Sequence, residues 1–335
     1  MIGQEHRHVL VVGGAGYIGS VLCGVLLDRG WRVRVLDALL YDNSSALDHL
    51  AGHSMFSLIK GDLRVRSDTQ GAMEEITDVV LLAALVGDPI CRKYPDLARQ
   101  INETGTLEFI DSLGEYSIKR LVFMSTCSNY GLRTDDQAAT EESELNPKSL
   151  YAETKVKVER YLLSPANRFN LSVTVLRAAT AYGISPRMRF DLTVNEFTRE
   201  LALGRELLVY DSDTWRPYCH VTDIAEIITQ VLAADSDRVR GQVFNVGSTP
   251  ENYTKKMLVD LLLEHFPTGK VRYQSGTVDP RNYRVSFEKL RTVLGVEPGR
   301  RVRDSVPELI RQIREGRFAS IDGVAGSYGN YSLHR

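Results

Sequence analysis

The amino-acid sequence predicts an α/β fold, a doubly wound parallel β-sheet followed by a smaller C-terminal α/β domain. In the first half of the chain, short apolar runs alternate with amphipathic segments, which is the pattern of βαβ units. These runs are apolar almost throughout, as strands are when a parallel sheet is covered on both faces. After about Thr180 the pattern breaks and shorter elements follow, which predicts the second domain.

Taken in order, the predicted strands are 9–12, 31–36, 55–59, 79–84, 120–125 and 171–177, and the predicted helices are 17–29, 97–113 and 149–163. Beyond the break, a helix over 221–233 and a strand over 242–246 are expected to return to the large sheet. The expected organisation is therefore a first domain over 1–180 that also receives segments near 215–248, a second domain mainly over 181–315, and a flexible tail over 316–335 that is rich in Gly and Ser.

Composition excludes several classes of protein. The 335 residues are 43% hydrophobic and 25% charged, as expected of a globular domain, and the formal net charge of −2 gives no global attraction for nucleic acid. The four cysteines are widely spaced and the seven histidines form no metal-binding pattern, so no metal site and a reducing compartment are expected. Without a signal-peptide pattern or a membrane-length apolar run, the expected location is the cytoplasm, with no membrane partner.

A glycine-rich turn joins the first predicted strand to the first predicted helix. Gly14, Gly16 and Gly19 fit the pattern G-x-G-x-x-G, and Gly13, Gly16 and Gly19 fit the variant G-x-x-G-x-x-G. Residues without side chains let the backbone turn tightly and approach a pyrophosphate, and the helix N-terminus adds N–H donors. This context predicts a dinucleotide site of the Rossmann type.

Two acidic residues extend this prediction. Asp37 ends the second predicted strand, where a carboxylate accepts hydrogen bonds from the adenosine ribose and repels a 2′-phosphate. NAD is therefore expected rather than NADP, although a simple turn aspartate is the alternative for Asp37. Asp62, with Leu63 beside it, is a weaker prediction for the surroundings of the adenine ring.

Tyr151 and Lys155 lie one helical turn apart and are predicted to share one face of a helix. The free pKa of a tyrosine is about 10, but a neighbouring ammonium and a nicotinamide cation both favour the phenolate. A phenolate can take the proton from a sugar hydroxyl while hydride leaves the same carbon. Upstream, the strand 120–125 ends in hydroxyl side chains at the sheet edge where α/β enzymes bind ligands.

These motifs, in this order, closely resemble the extended short-chain dehydrogenases/reductases of the NAD-dependent epimerase/dehydratase family. The matching positions are Gly13-Gly-Ala-Gly16-Tyr17-Ile18-Gly19, Asp37, Gly61-Asp62-Leu63, Ala83-Ala84, Ser125-Thr126, Tyr151, Lys155, Arg216, His220-Val-Thr-Asp223 and Phe244-Asn-Val-Gly247. The resemblance spans nearly the whole chain. It implies tightly held NAD, a nucleoside-diphosphate sugar as substrate, and a homodimer formed through helices of the large domain.

The resemblance also assigns roles to residues. It implies that Thr126, Tyr151 and Lys155 are catalytic, that Ala83 and Ala84 contact the cofactor with the glycine loop, and that Arg216 and Arg281 bind the substrate diphosphate. An exposed structural arginine is the alternative for Arg281. The segments 83–91 and 185–195 resemble a subgroup that includes dehydrogenases acting at C4 of GDP-heptoses. In that subgroup Arg187, Arg189 and Asn195 would lie near the sugar or diphosphate, with loop charges and a helix-start asparagine as the alternative.

One departure from the family bears on the reaction. The family's 4,6-dehydratases resemble one another in an Asp-Glu pair directly after the catalytic Thr, and here these positions hold Cys127 and Ser128. The expected activity is therefore an NAD-dependent nucleotide-sugar epimerase that oxidises C4 and reduces the keto sugar again. The alternatives are a C4 dehydrogenase or 4-ketoreductase and, ranked lower, a dehydratase or a scaffold that binds NAD without turnover. The nucleotide and the sugar are left open.

Overall fold

The computed structural model describes residues 7–133, 137–166, 170–274, 281–318 and 328–333. In this part of the chain the strands, in order, are β1 His8–Val12, β2 Arg32–Asp37, β3 Phe56–Lys60, β4 Asp78–Leu81, β5 Arg120–Thr126, β6 Ser172–Ala178, β7 Thr180–Tyr182, β8 Leu207–Tyr210, β9 Trp215–His220, β10 Gln242–Val246, β11 Asn252–Thr254 and β12 Val271–Gln274. The helices are α1 Tyr17–Asp28, α2 Arg66–Ala72, α3 Asp88–Lys93, α4 Pro95–Arg99, α5 Thr106–Ser112, α6 Leu150–Leu163, α7 Thr193–Ala202, α8 Val221–Ala233, α9 Ser236–Val239, α10 Lys255–Leu263 and α11 Val302–Arg314.

The large sheet is parallel throughout and has the strand order β10-β6-β5-β4-β1-β2-β3. Successive side chains of β1 point to opposite faces, as the period of a strand requires. Val9 and Val11 belong to the core shared with α1 and α8, whereas Leu10 and Val12 belong to the core shared with α5 and α6. The chain order reverses between β1 and β4, and ligands of such folds bind at the carboxyl edge of this point. The predicted doubly wound sheet is confirmed.

Two predicted elements differ in the structure. The strand expected over 79–84 ends at Leu81, because the amides of Leu82 and Ala83 both donate to the Val12 carbonyl at 2.9 Å, which turns the chain into a loop. The helix expected over 97–113 is broken into α4 and α5 by a π-helical segment, Gln100–Gly105. A single π-helical turn shifts the helical spacing of the apolar residues only slightly, so the sequence pattern still predicts one continuous helix.

The smaller domain packs helices around two short sheets. Strands β11, β9 and β7 form one sheet, and β12 pairs with β8 in the other. Its core is apolar and includes Phe197 of α7, Leu262 of α10 and Val306 of α11. Two elements from this part of the sequence return to the large sheet. Helix α8 packs in the core of that sheet, and β10 forms its edge strand beside β6.

Part of the segment 316–335, predicted as a flexible tail, lies outside the described residues. Where it is described, Phe318 and Tyr328 pack edge-on against Phe190, with ring centroids 5.2 and 6.0 Å away. Asn330 donates to the Val86 carbonyl at 3.3 Å. Among the described residues, no helix is both long and apolar enough to cross a membrane.

Candidate active site

A cavity of about 590 Å³ opens at the carboxyl edge of the large sheet. Its walls come from the glycine turn, from the ends of β2, β4, β5 and β6, and from the smaller domain through Arg216, Lys255 and Arg281. Its volume lies within the range of small-molecule and cofactor sites. Every predicted catalytic residue lines this cavity, and so does every predicted cofactor residue: Gly13, Gly16, Tyr17, Ile18, Gly19, Asp37, Asp62, Leu63, Ala83, Ala84, Thr126, Tyr151 and Lys155.

The glycine turn leaves no room for side chains at two positions. Gly13 has a φ of +87°, and a Cβ built on it would lie 2.7 Å from the amide nitrogen of Ala83. A Cβ on Gly19 would lie 2.5 Å from the Gly13 carbonyl oxygen, because helix α1 begins directly against the end of β1. The close packing presents the N-terminus of α1 to the cavity, which suits a pyrophosphate.

We therefore expect Gly19→Ala to abolish tight NAD binding, since the added methyl group meets backbone atoms that cannot rotate away. The change should also destabilise the protein, by about 1–3 kcal/mol if overpacking here resembles that of other cores. Retained nicotinamide, measured in the purified protein, and urea unfolding check this expectation. Gly24→Ala is the matched control on α1, because a Cβ there meets nothing within 4 Å. If both variants retain NAD equally, the glycine turn does not hold the cofactor.

Asp37 lies beside this turn at the end of β2. Its carboxylate accepts hydrogen bonds from the amides of Ala15 and Leu39, at 2.9 and 2.8 Å. Burial raises its pKa, and the two backbone donors act in the opposite direction. The carboxylate is thus fixed where the adenosine ribose of a dinucleotide would lie. Asp62 is held by Arg64 at 2.6 Å, so the structure gives that carboxylate an ion-pair partner.

Tyr151 and Lys155 enter the cavity from the first turns of α6. Ser149 caps this helix by accepting from the amide of Ala152 at 3.4 Å. The Lys155 ammonium donates to the Met124 carbonyl at 2.9 Å and lies 6.0 Å from the centre of the Tyr151 ring. Burial lowers the pKa of Lys155 to about 8 and raises that of Tyr151. In its ammonium form the lysine favours the tyrosinate, in the opposite direction to the effect of burial on Tyr151.

Thr126 completes this group from the end of β5. Its hydroxyl oxygen accepts from the amide of Ser128 at 3.1 Å, which caps the short 3₁₀ helix Cys127–Tyr130. Ser128 lines the cavity and its hydroxyl lies 3.3 Å from that of Tyr283. Cys127 is turned away, fully buried, with its thiol donating to the Arg177 carbonyl at 3.1 Å. Burial raises the pKa of this thiol well above its ordinary value, which suits a packing role.

A buried polar network, which the sequence reasoning missed, lies behind the catalytic residues. Glu159 follows Lys155 by one helical turn and forms an ion pair with Arg177 at 2.8 Å. The same carboxylate accepts from Asn129 at 2.6 Å and from the hydroxyl of Ser125. These bonds join α6, β5, β6 and the 3₁₀ helix that follows Thr126. A glutamate on the apolar side of a helix is the sequence signal that could have shown it.

Two predicted substrate arginines contact each other where the smaller domain lines the cavity. Arg216 of β9 is buried, lies 5.3 Å from the centre of the Tyr283 ring and donates to the Arg281 carbonyl. The guanidinium of Arg281 forms an ion pair with Asp88 at 3.0 Å. Both arginines line the same cavity as Tyr151.

The other three predicted substrate residues lie near the glycine turn. Arg187 stacks 5.5 Å from the centre of the Tyr41 ring, and Arg189 pairs with Asp191 at 2.6 Å; both arginines line the cavity. Asn195 does not line it. This residue is fully buried, accepts from the amide of Gly183 at 3.0 Å and donates to the hydroxyl of Tyr17.

Asn102 is a second residue that the sequence reasoning missed. The π-helical segment turns its buried side chain toward the loop after β4, where it accepts from the amide of Leu85 at 2.7 Å and donates to the Leu85 carbonyl at 3.0 Å. The thiol of Cys91 donates to the same carbonyl at 3.2 Å. The loop that carries Ala83, Ala84 and Asp88 is thereby fixed at both backbone polar groups of Leu85.

Comparisons with known proteins agree with this geometry. The model of the NAD dependent epimerase/dehydratase family matches residues 9–247. A UDP-glucose 4-epimerase of Corynebacterium glutamicum is 30% identical over 310 residues, which cover 87% of this chain and 90% of the relative. UDP-glucuronic acid decarboxylase 1 of Arabidopsis thaliana is 27% identical over 323 residues, covering 93% of this chain and 71% of the relative.

A solved structure shows the same arrangement of elements. The UDP-glucose 4-epimerase of Thermus thermophilus, in complex with NAD, superposes with a TM-score of 0.80 at 26% identity and covers 92% of this chain and 99% of its own. With the glycine turn, Asp37 and the Tyr151–Lys155 pair lining one cavity, the sequence match and the fold lead to the same assignment. This chain belongs to the NAD dependent epimerase/dehydratase family, whose members act on nucleotide sugars.

Proposed function

We propose that this protein is a nucleotide-sugar epimerase that acts at C4 with a tightly held NAD. The observation that carries the proposal is that Thr126, Tyr151 and Lys155 line the same cavity as Arg216 and Arg281. Guanidinium groups donate in pairs to phosphate oxygens, so the arginines suit the diphosphate of a nucleotide sugar. A sugar held there directs its far side, where C4 lies, toward Tyr151.

In this proposal Tyr151 removes the proton of the 4-hydroxyl and Thr126 positions its oxygen by a hydrogen bond. Lys155 supplies the positive charge that favours the tyrosinate, and it is held in place by the Met124 carbonyl. NAD held by the glycine turn and Asp37 would supply the hydride acceptor and donor at C4, so that the keto sugar can turn between oxidation and reduction. Tyr151 then returns its proton to the alkoxide oxygen, so that the residue is restored after each turnover.

Net redox chemistry is the second candidate, because a C4 dehydrogenase uses the same oxidative half-reaction and a 4-ketoreductase the same reductive one. A 4,6-dehydratase is disfavoured by the residues after Thr126: the buried Cys127 thiol donates to a backbone carbonyl, and Ser128 offers a hydroxyl in place of a carboxylic acid. A scaffold without turnover is disfavoured by the complete catalytic group. The homodimer through helices of the large domain stays a prediction.

The proposal is tested by incubating the purified protein, without added cofactor, with a panel of UDP-, dTDP- and GDP-sugars. Mass spectrometry and chromatography then identify the products. An epimerase should convert one sugar over many turnovers into an isomer of unchanged mass. A product lighter by two hydrogens, formed at no more than one turnover per protein, would establish the dehydrogenase instead. Loss of a water from the product would establish a dehydratase.

A further inference from the structure

The C-terminal segment, residues 328–333, contributes to the cavity and has no role in the mechanism above. Asn330 and Tyr331 both line the cavity. The side chain of Tyr331 is nevertheless 47% exposed, so the segment lies where the cavity meets solvent. Leu333 packs against the core that the large sheet shares with α5 and α6, which anchors the end of the segment to the large domain.

The segment is attached on one side to the stretch 187–191. The Gly329 carbonyl accepts from the guanidinium of Arg187 at 3.3 Å. The backbone amide of Asn330 donates to the carboxylate of Asp191, also at 3.3 Å. Because Arg187 and Asp191 both line the cavity, these bonds join the segment to residues of the cavity wall.

The residues that lead into this stretch lie against the first turn of α1. The Ser185 hydroxyl donates to the Tyr17 carbonyl at 2.7 Å, and the amide of Arg187 donates to the Ser20 hydroxyl at 3.4 Å. The Arg187 guanidinium lies 5.5 Å from the centre of the Tyr41 ring, which belongs to the chain just after β2. This side of the attachment is therefore beside the helix N-terminus that suits the pyrophosphate of NAD.

On the other side, the segment is attached to the loop after β4. The side-chain amide of Asn330 donates to the Val86 carbonyl at 3.3 Å. Val86 follows the cofactor residues Ala83-Ala84 in the same loop. The ammonium of Lys93, in α3, donates to the Tyr331 carbonyl at 3.2 Å. Asn330 thus links two cavity-lining parts of the chain, one through its backbone and the other through its side chain.

We propose that the C-terminal segment is a clasp that retains NAD, and that Asn330 is the positioning residue that holds the clasp closed. The glycine turn and the loop after β4 are both assigned to the cofactor, and the segment connects them at the rim of the cavity through the stretch 187–191. Release of NAD therefore requires that these contacts open. The inference goes beyond the proposed reaction, because it concerns how long the cofactor stays bound and not the chemistry at C4.

The test measures how fast NAD leaves the protein when no sugar is present. The protein is loaded with NAD and mixed with excess isotopically labelled NAD, and mass spectrometry follows the exchange of the bound cofactor. Deleting residues 328–335 should raise the dissociation rate by at least about tenfold, because the bonds to both sides of the cavity are lost. Asn330→Ala, which removes the bond to Val86, should raise it by about fivefold.

Two matched controls belong to the same end of the chain. Deleting residues 334 and 335 alone leaves the C-terminal segment intact, and Ser332→Ala changes a neighbouring side chain within it. Both variants should keep the dissociation rate within about twofold of the wild-type rate. If the longer deletion prevents folding, Asn330→Ala against Ser332→Ala decides the question.

The dissociation rate separates retention from a purely structural role. A structural role of Asn330 would lower the urea midpoint of the NAD-free protein and leave the exchange of NAD unchanged in the folded variant, which would overturn the proposal. A higher KM for the sugar without faster loss of NAD would place the segment in the substrate site and would also overturn it. Since exchange is measured without sugar, neither result bears on the epimerase proposal.

Discussion

Replacing Tyr151 by Phe is expected to lower kcat by about 10²–10⁴-fold, the range that general acid–base catalysis supplies. The phenyl ring keeps the shape of the side chain but has no hydroxyl to take the 4-hydroxyl proton. Because Lys155 is held by the Met124 carbonyl and not by the tyrosine hydroxyl, the lysine should stay in place. Bound nicotinamide and nucleotide-sugar affinity should therefore change little.

The matched control is Tyr161→Phe on the same helix. The Tyr161 hydroxyl donates to Asp111 on the outer side of α6, away from the cavity, and its removal should leave kcat within about twofold, as surface substitutions commonly do. Steady-state kinetics on the sugar found in the panel measure both variants. If Tyr151→Phe retained full activity with bound NAD, proton transfer at C4 would have to be assigned to another group.

Replacing Arg177 by Met should destabilise the fold by about 3–5 kcal/mol, the usual effect of removing one partner of a buried ion pair. The side chains of Arg177 and Glu159 are 5% and 1% exposed, so Glu159 would be left as an uncompensated buried carboxylate. Burial opposes the positive charge on Arg177, but Glu159 and the Tyr130 hydroxyl outweigh this effect and raise the arginine's pKa. Urea unfolding of the variant, prepared without NAD, measures the loss.

Two further variants show whether the loss comes from the isolated charge. The double variant Arg177→Met with Glu159→Met should recover a substantial part of the stability, because the apolar pair removes both charges. Arg311→Met, which breaks exposed pairs with Glu308 and Glu315 on α11, should cost less than about 1 kcal/mol. Equal losses from Arg177→Met and Arg311→Met would mean that the buried network contributes nothing particular to the fold.

The parts of the fold that could be predicted are those with a local sequence signal. The strand β1, the glycine turn and α1 are adjacent in the chain, and the apolar runs of β5 and β6 show burial on both faces. In the smaller domain the elements are short and their partners distant: β12 pairs with β8, for example. Periodicity within one segment does not report such pairing, so most of this domain was not predicted.

The same distinction between local sequence signals and distant contacts holds for the residues of the candidate site. Tyr151 and Lys155 could be predicted because their chemistry depends on a spacing within one helix. Asn102 could not, since its role arises only when the loop after β4 meets the π-helical segment. Similarly, the placement of Arg187 against Tyr41 depends on a contact between two loops far apart in the chain.

The central claim, reversible oxidation at C4, is tested most directly with a nucleotide sugar that carries deuterium at C4. The substrate identified in the panel is mixed with excess protein while the absorbance of reduced nicotinamide is followed, and the product is analysed by mass spectrometry. The account predicts transient reduced nicotinamide that forms more slowly with the deuterated sugar, and a product inverted at C4 that keeps its deuterium. A product that loses the label to solvent, or turnover without reduced nicotinamide, would contradict it.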